Sequence, residues 1–185
     1  FKGKNITGKK PYQVCHMGIA RTFQTVKIFS NLSVLDNVRI AALFGRAKSP
    51  SPAEATKESL ELLDFVELPD NIRNLPAKDL TLGNQKRLEM ARALASKPDL
   101  LLLDELMAGL NQTEVSDAMD DVRQIRDRGI TIVMIEHVMK AIMNVCDRIM
   151  VLHHGVKIAD GTPQEVASSE KVIEVYLGEQ ADAGN

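Results

Sequence analysis

The chain has 185 residues, enough for one domain or one large piece of a domain, and its 44% hydrophobic and 26% charged residues are those of an ordinary globular protein, which excludes a collagen-like chain or a charged tail. A net charge of −2, no long basic run, no Trp and only 4% aromatics argue against nucleic acid as a partner. Cys15 and Cys146 are too few for a disulfide framework and read as reduced thiols of a cytosolic protein, while no apolar run reaches the roughly 18–20 residues that cross a bilayer.

Phe1 to Pro11 is polar and glycine-containing, and the chain begins without Met, which fits processing or a fragment. Gly18 to Gln24 (GIARTFQ) reads as a short strand running into a loop. Ser33 is a helix N-cap followed by Leu35, Val38 and Ala42 on one face. Lys48 to Pro52 (KSPSP) is a breaker-rich loop in which Ser51 and Pro52 supply the cap and first residue of a helix carrying Leu60, Leu63, Phe65 and Val66. After a loop at Asp70–Pro76, the segment Asn84–Ser96 is helical, with Leu88, Ala91 and Ala95 on one face. Leu100–Leu103, so short an apolar run set between helical segments, reads best as a buried parallel strand. A helix from Gln112 to Arg128 follows, with Asn111 and Glu114 as a capping pair and Gly129 at its end. Ile130–Ile135 reads as a second buried strand, Val138–Cys146 as a helix, and Arg148–His153 with Val156–Ala159 as a hairpin turning at His154-Gly155. Thr162 to Glu165 opens a last helix with a capping box. Strands alternating with helices give an α/β class with a mostly parallel sheet.

The strongest chemical signal is LLLLDE, Leu100 to Glu105. An apolar strand ending in Asp104 and Glu105 puts two carboxylates at the C-terminal edge of a parallel sheet, where ligands bind in open α/β folds. An Asp there helps hold Mg²⁺ in P-loop hydrolases, and an adjacent Glu can orient or deprotonate an attacking water. A strand that merely exits into a polar loop would look the same. Leu80 to Gln85 (LTLGNQ) sets a hydroxyl, a glycine and an amide before a helix, whose start offers free N–H groups to an anion or is simply capped. His137, after the second strand, can bond a phosphate oxygen or serve structure alone. Gln24 ends GIARTFQ.

Taken in order, Gln24, Thr81–Gly83, Asp104-Glu105 and His137 resemble the nucleotide-binding domain of ABC transporters. In that resemblance Gln24 is the Q-loop glutamine, LTLGN the signature usually written LSGGQ, LLLLDE Walker B with its catalytic glutamate, Ala108–Asn111 the D-loop and His137 the switch histidine. GIARTFQ, RLEMARALASKPDLLLLDE, MAGLN, IEH and the ending KIADGTPQEVASSEKVIEVYLGE are similar to the ATP-binding subunit of branched-chain amino acid transporters. The resemblance implies a P-loop NTPase-like parallel sheet with a helical subdomain. Residues 1–28 would end the first core portion, 29–79 form the helical subdomain, 80–161 the rest of the core and 162–185 a helical tail.

It further implies ATP and Mg²⁺ as cofactors. Glu105 and His137 would be catalytic, Asp104 and Gln24 would serve Mg²⁺, and Gln24, Thr81, Leu82, Gly83, Asn84 and Asn111 would contact nucleotide. The implied partners are a second ATP-binding subunit, paired head to tail, and transmembrane permease subunits docked on 29–74, at the cytoplasmic face of the cell membrane. A soluble ATPase outside transport and a non-catalytic interaction module are the alternatives.

The family's phosphate cradle, G-x-x-x-x-G-K-[ST], is not matched. Gly3 to Lys10 (GKNITGKK) has the glycine and lysine spacing, but Lys10 stands where a hydroxyl belongs, and Pro11 follows. The cradle and its central strand are therefore expected upstream of Phe1, and the chain alone is expected to be inactive and either poorly stable or self-associating. Leu106 stands where the family usually has Pro, and Val138 where a carboxylate often follows the switch His.

Overall fold

The structure, a computed structural model, describes residues 1–175; the last part of the tail expected at 162–185 lies outside them. The chain divides into two compact units, Phe1–Glu136 and His137–Asn185.

The first unit is built on three parallel strands, β1 (Ile19–Arg21), β2 (Leu100–Asp104) and β3 (Thr131–Ile135), in the order β1-β2-β3. Ile19 faces Leu100, which faces Thr131, and Asp104 faces Ile135, so the C-terminal ends of the strands share one edge. Parallel neighbours need long crossovers. Between β1 and β2 the chain forms α2 (Val34–Phe44), α3 (Pro52–Phe65) and α4 (Leu82–Ala95); between β2 and β3 it forms α5 (Gln112–Asp127). A short α1 (Pro11–His16), which the sequence pattern does not announce, precedes β1 with Pro11 at its first position, where a missing N–H costs nothing.

The capping signals are used as read. Ser33 and Ser51 accept from Asp36 N–H and Glu54 N–H at the starts of α2 and α3. Gly129 follows α5 with φ +85°. The expected loop at 70–76 contains a 3₁₀ turn, Asp70–Ile72. Helices α2, α3 and α4 pack on one another through Val34, Val38, Ala42, Leu63, Leu88 and Ala91, all fully buried. Each of the Val and Leu side chains among them contributes about 1.5–3 kcal/mol.

Leu101 and Leu103 bury their side of β2. The expectation that β3 is buried fails: Val133 is 53% and Ile135 64% exposed. Among the described residues β3 pairs with β2 alone and one of its faces is uncovered. A β-branched run records strand propensity and says nothing about which neighbours cover it.

The second unit comprises α6 (Met139–Val145), the hairpin β4 (Ile149–His153) and β5 (Val156–Gly161), and α7 (Pro163–Ala167). The turn falls at His154 (φ +46°) and Gly155 (φ +77°), the positive pair that a two-residue hairpin turn demands. Ile149, Val166 and Val172 form the core of this unit, with Ile142, Val151 and Ile158 against them. Thr162 and Glu165 make the expected reciprocal cap of α7.

Candidate active site

Asp104 and Glu105 emerge where β2 leaves the sheet. The Glu105 N–H donates to the Ile135 carbonyl (2.9 Å), extending the ladder by one residue, and the Asp104 N–H donates to Thr22 Oγ1 (3.3 Å). Glu105 then takes φ +49°, a left-handed conformation that costs a residue with a Cβ about 1–2 kcal/mol. The chain turns sharply there.

Two side chains arriving from β1 meet the carboxylates. Arg21 Nη2 donates to Asp104 Oδ2 (2.7 Å), while the Arg21 guanidinium lies 4.9 Å from the Phe23 ring centre. Gln24 Nε2 donates to Glu105 Oε2 (2.8 Å). Gln24, Asp104 and Glu105, read from separate segments of the sequence, thus come together at the sheet edge.

The loop bearing Gln24 is tied to α4 and α2. The Lys27 N–H donates to Glu89 Oε1 (3.1 Å), Arg92 donates to the Lys27 carbonyl, and the Arg92 guanidinium sits 4.7 Å from the Phe29 ring centre. Burial pushes the Glu89 carboxyl up, opposed by hydrogen bonds from the Lys27 and Phe23 backbone. Burial likewise pushes Arg92 down. The fully buried Asn37 side chain accepts from Phe29 N–H (2.8 Å) and donates to the carbonyls of Phe29 (3.0 Å) and Ser33 (2.9 Å).

Thr81 caps α4, its Oγ1 accepting from the Asn84 N–H (3.4 Å), so the helix begins two residues before the expected Asn84. Leu82 is 47% exposed. Gly83 packs closely on the start of α5: a Cβ there would lie 2.6 Å from Glu114 Oε1, the end of a side chain that would have to shift. Asn111 caps α5, accepting from Thr113 and Glu114 N–H (3.0 Å each), and Glu114 Oε2 accepts from the Asn111 N–H (2.9 Å). A Cβ on Gly109 would be 3.2 Å from Leu82 Cδ2. The Thr81–Asn84 and Ala108–Asn111 segments are therefore neighbours, and between their helices lies a cavity of about 190 Å³ lined in part by Gly83, Lys86, Leu106, Glu114 and Asp121.

His137 is exposed and opens the second unit. Its neighbour Glu136 closes the first, with Oε1 accepting from the Met107 N–H (2.7 Å). Sequence reasoning missed Arg21, Lys86, Glu89, Arg92 and Glu136. For Glu89 and Arg92 a signal existed: charges three residues apart beside the apolar positions Leu88, Ala91 and Ala95. For the others the partners lie 19 to 83 residues away.

No group of three or more His, Cys, Asp or Glu side chains gathers as a metal cage among the described residues. Asp104, Glu105 and the Gln24 amide oxygen suit instead a cation such as Mg²⁺, which keeps waters and phosphate oxygens and needs only one or two carboxylates. Gly3 to Lys10 leads through Lys10, the N-cap residue, into the six-residue α1.

A parallel-sheet edge carrying an Asp-Glu pair, a glutamine from the loop after the adjoining strand and a capped helix start beside a second capped loop defines a nucleotide-hydrolase core. The profile of the ABC transporter family matches residues 1–108, and that of the branched-chain amino acid ATP-binding cassette transporter matches residues 156–182. The chain is 36% identical, over 97% of its length and 75% of the relative's, to the high-affinity branched-chain amino acid transport ATP-binding protein LivG of Escherichia coli K12. It is 34% identical to BraF of Pseudomonas aeruginosa, a protein with the same description (96% and 74%). Among solved structures it matches the ADP conformation of an ATP-binding cassette of an ABC transporter with TM-score 0.81 and 31% identity, covering 96% of this chain and 75% of that one. A nucleotide-free cassette gives TM-score 0.79 and 29% identity (95% and 75%). The chain belongs to the ATP-binding cassette family of transporter subunits, and the LivG and BraF relatives put it in the branched-chain amino acid branch.

Proposed function

We propose that this chain is the ATP-hydrolysing subunit, or a piece of it, that energises import of branched-chain amino acids. The observation that carries the reading is the meeting of Gln24 with Glu105 and of Arg21 with Asp104 at one sheet edge. Bound Mg²⁺-ATP supplies the phosphoryl group, and transfer to water then needs positioning and charge neutralisation above all. Glu105 accepts a hydrogen bond from the attacking water and orients it. Asp104 and Gln24 would hold Mg²⁺, which would neutralise phosphate charge there. Gln24 would sense nucleotide occupancy through the loop tied down by Glu89 and Arg92. Thr81, Leu82, Gly83 and Asn84, at the N-terminus of α4, face the phosphates held by a second ATP-binding subunit paired head to tail, and Asn111 lies beside them. His137 contacts the γ-phosphate.

No helix of the described residues is long and apolar enough to cross a membrane; the subunit works at the cytoplasmic face, docked through the helical region 29–74 on permease subunits. The 185 residues hold the metal and water side of the reaction without the glycine-lysine cradle, so the chain by itself does not hydrolyse ATP. The test is the assembled transporter in proteoliposomes. Glu105→Gln is expected to keep nucleotide binding and to lower ATP turnover and amino acid uptake together by about 10²–10⁴-fold. Retained turnover would remove Glu105 from this role, and uptake independent of ATP would remove the reading.

A further inference from the structure

We infer that Lys86 and Glu136 are positioning residues that clamp the turn Glu105–Ala108 and thereby aim the Glu105 carboxylate. This rests on the reading of Glu105 as the residue that orients water. Lys86 is only 6% exposed, a burial unusual for lysine unless its charge is satisfied. Its Nζ donates to the carbonyls of Glu105 (3.2 Å), Leu106 (2.7 Å) and Ala108 (2.6 Å). An ammonium has three donors, and all three are spent on this one turn.

Glu136 holds the same turn through the N–H of Met107 (2.7 Å). Its other oxygen, Oε2, is buried without a hydrogen-bond partner. Burial pushes the Lys86 ammonium down, and the charges of the nearby Glu136, Glu89 and Glu105 carboxylates oppose that.

The turn needs such restraint. Glu105 stands at φ +49° without being glycine, and its own contribution to the turn is a 3.2 Å bond from the Ala108 N–H to the Glu105 carbonyl. Relaxation of that φ to the ordinary negative region would redirect the Cα–Cβ bond and carry the carboxylate away from Gln24. A misplacement on the order of 1 Å in such a group is enough to lower turnover about 100-fold. Lys86 reaches the turn through backbone carbonyls alone. It acts through the backbone of Glu105, and it does so from the helix that begins at Thr81, so the start of α4 and the carboxylate turn are held as one piece.

The experiment pairs kinetics of the assembled transporter with amide hydrogen exchange of residues 104–110 in the full chain. Lys86→Met keeps the apolar stem and removes the donors. It is expected to lower kcat about 10- to 100-fold with KM for ATP changed by less than about 3-fold, and to speed exchange at Met107 and Ala108. Lys86→Arg, which restores donors, is expected to recover most of kcat. Glu136→Gln keeps the acceptor for Met107 and should stay near wild type, whereas Glu136→Leu should behave like Lys86→Met. If Lys86→Met does not fold, Glu136→Leu carries the same comparison. Unchanged kcat in Lys86→Met and Glu136→Leu, with Glu105→Gln inactive, overturns the clamp. An active Glu105→Gln overturns the assignment of Glu105 instead, and the exchange data then decide the clamp alone: unchanged protection of the turn refutes it.

Discussion

Asp121 gives a prediction whose size follows from the structure. It lies on α5 and lines the cavity between the start of α4 and α5. Its carboxyl is pushed up from 3.8 to about 6, chiefly by burial. Arg87 of α4 pulls it down, but Arg87 is already engaged by Asp117 Oδ2 (2.9 Å) and Glu67 Oε2 (3.5 Å), and Glu67, Asp117 and Asp120 push Asp121 up. A rise of about two units corresponds to about 3 kcal/mol, which partial exposure to solvent reduces to about 1–2 kcal/mol. The folded state binds this proton more tightly than the unfolded chain, so its contribution is favourable below about pH 4, declines as pH rises through about 6, and is lost above. Asp121→Asn removes the charge while keeping the shape. The difference in urea unfolding free energy between Asp121→Asn and the parent chain should be small at pH 4 and reach about 1–2 kcal/mol in favour of the variant at pH 7. Carboxylates that do not interact with Asp121 titrate equally in both chains and cancel. A difference independent of pH between 4 and 7 would show that Asp121 is not held protonated by its surroundings.

Asn37→Ala leaves the Phe29 N–H and the Phe29 and Ser33 carbonyls without their partner, and urea unfolding should register a loss of about 2–4 kcal/mol. Asn111→Ala removes the acceptor for two N–H groups at the start of α5 and should cost about 1 kcal/mol by the same measurement. Leu101 is fully buried at the centre of β2, and Leu101→Ala should cost about 2–5 kcal/mol. With Val133 and Ile135 exposed on β3, the 185-residue chain should associate or melt below about 45 °C; a monomer melting cooperatively near ~60 °C in calorimetry would refute this.

What could be read from the sequence was what local chemistry decides. Ser33, Ser51, Asn111 and Thr162 announce helix starts because a cap needs only its own N–H groups two or three residues on. His154-Gly155 announces a hairpin for a similarly local reason. Gln24, Asp104 and Glu105 were legible as an ordered set, and the fold brings them to one edge. The exposure of β3 and the Arg21–Asp104 pair were not legible, since each depends on which strand lies beside which. The departure at Leu106 shows how local and distant chemistry meet. A proline there would fix its own φ near −65° and bias Glu105 away from helical geometry through the ring. Leucine imposes neither restraint. In its place the Leu106 side chain is buried to 7% exposure and its carbonyl is held by Lys86 at 2.7 Å, so packing and a buried ammonium supply from α4 the stiffness that the residue itself no longer provides. The hydrogen bond that joins Lys86 to the Leu106 carbonyl is invisible in a sequence where 20 residues separate the two.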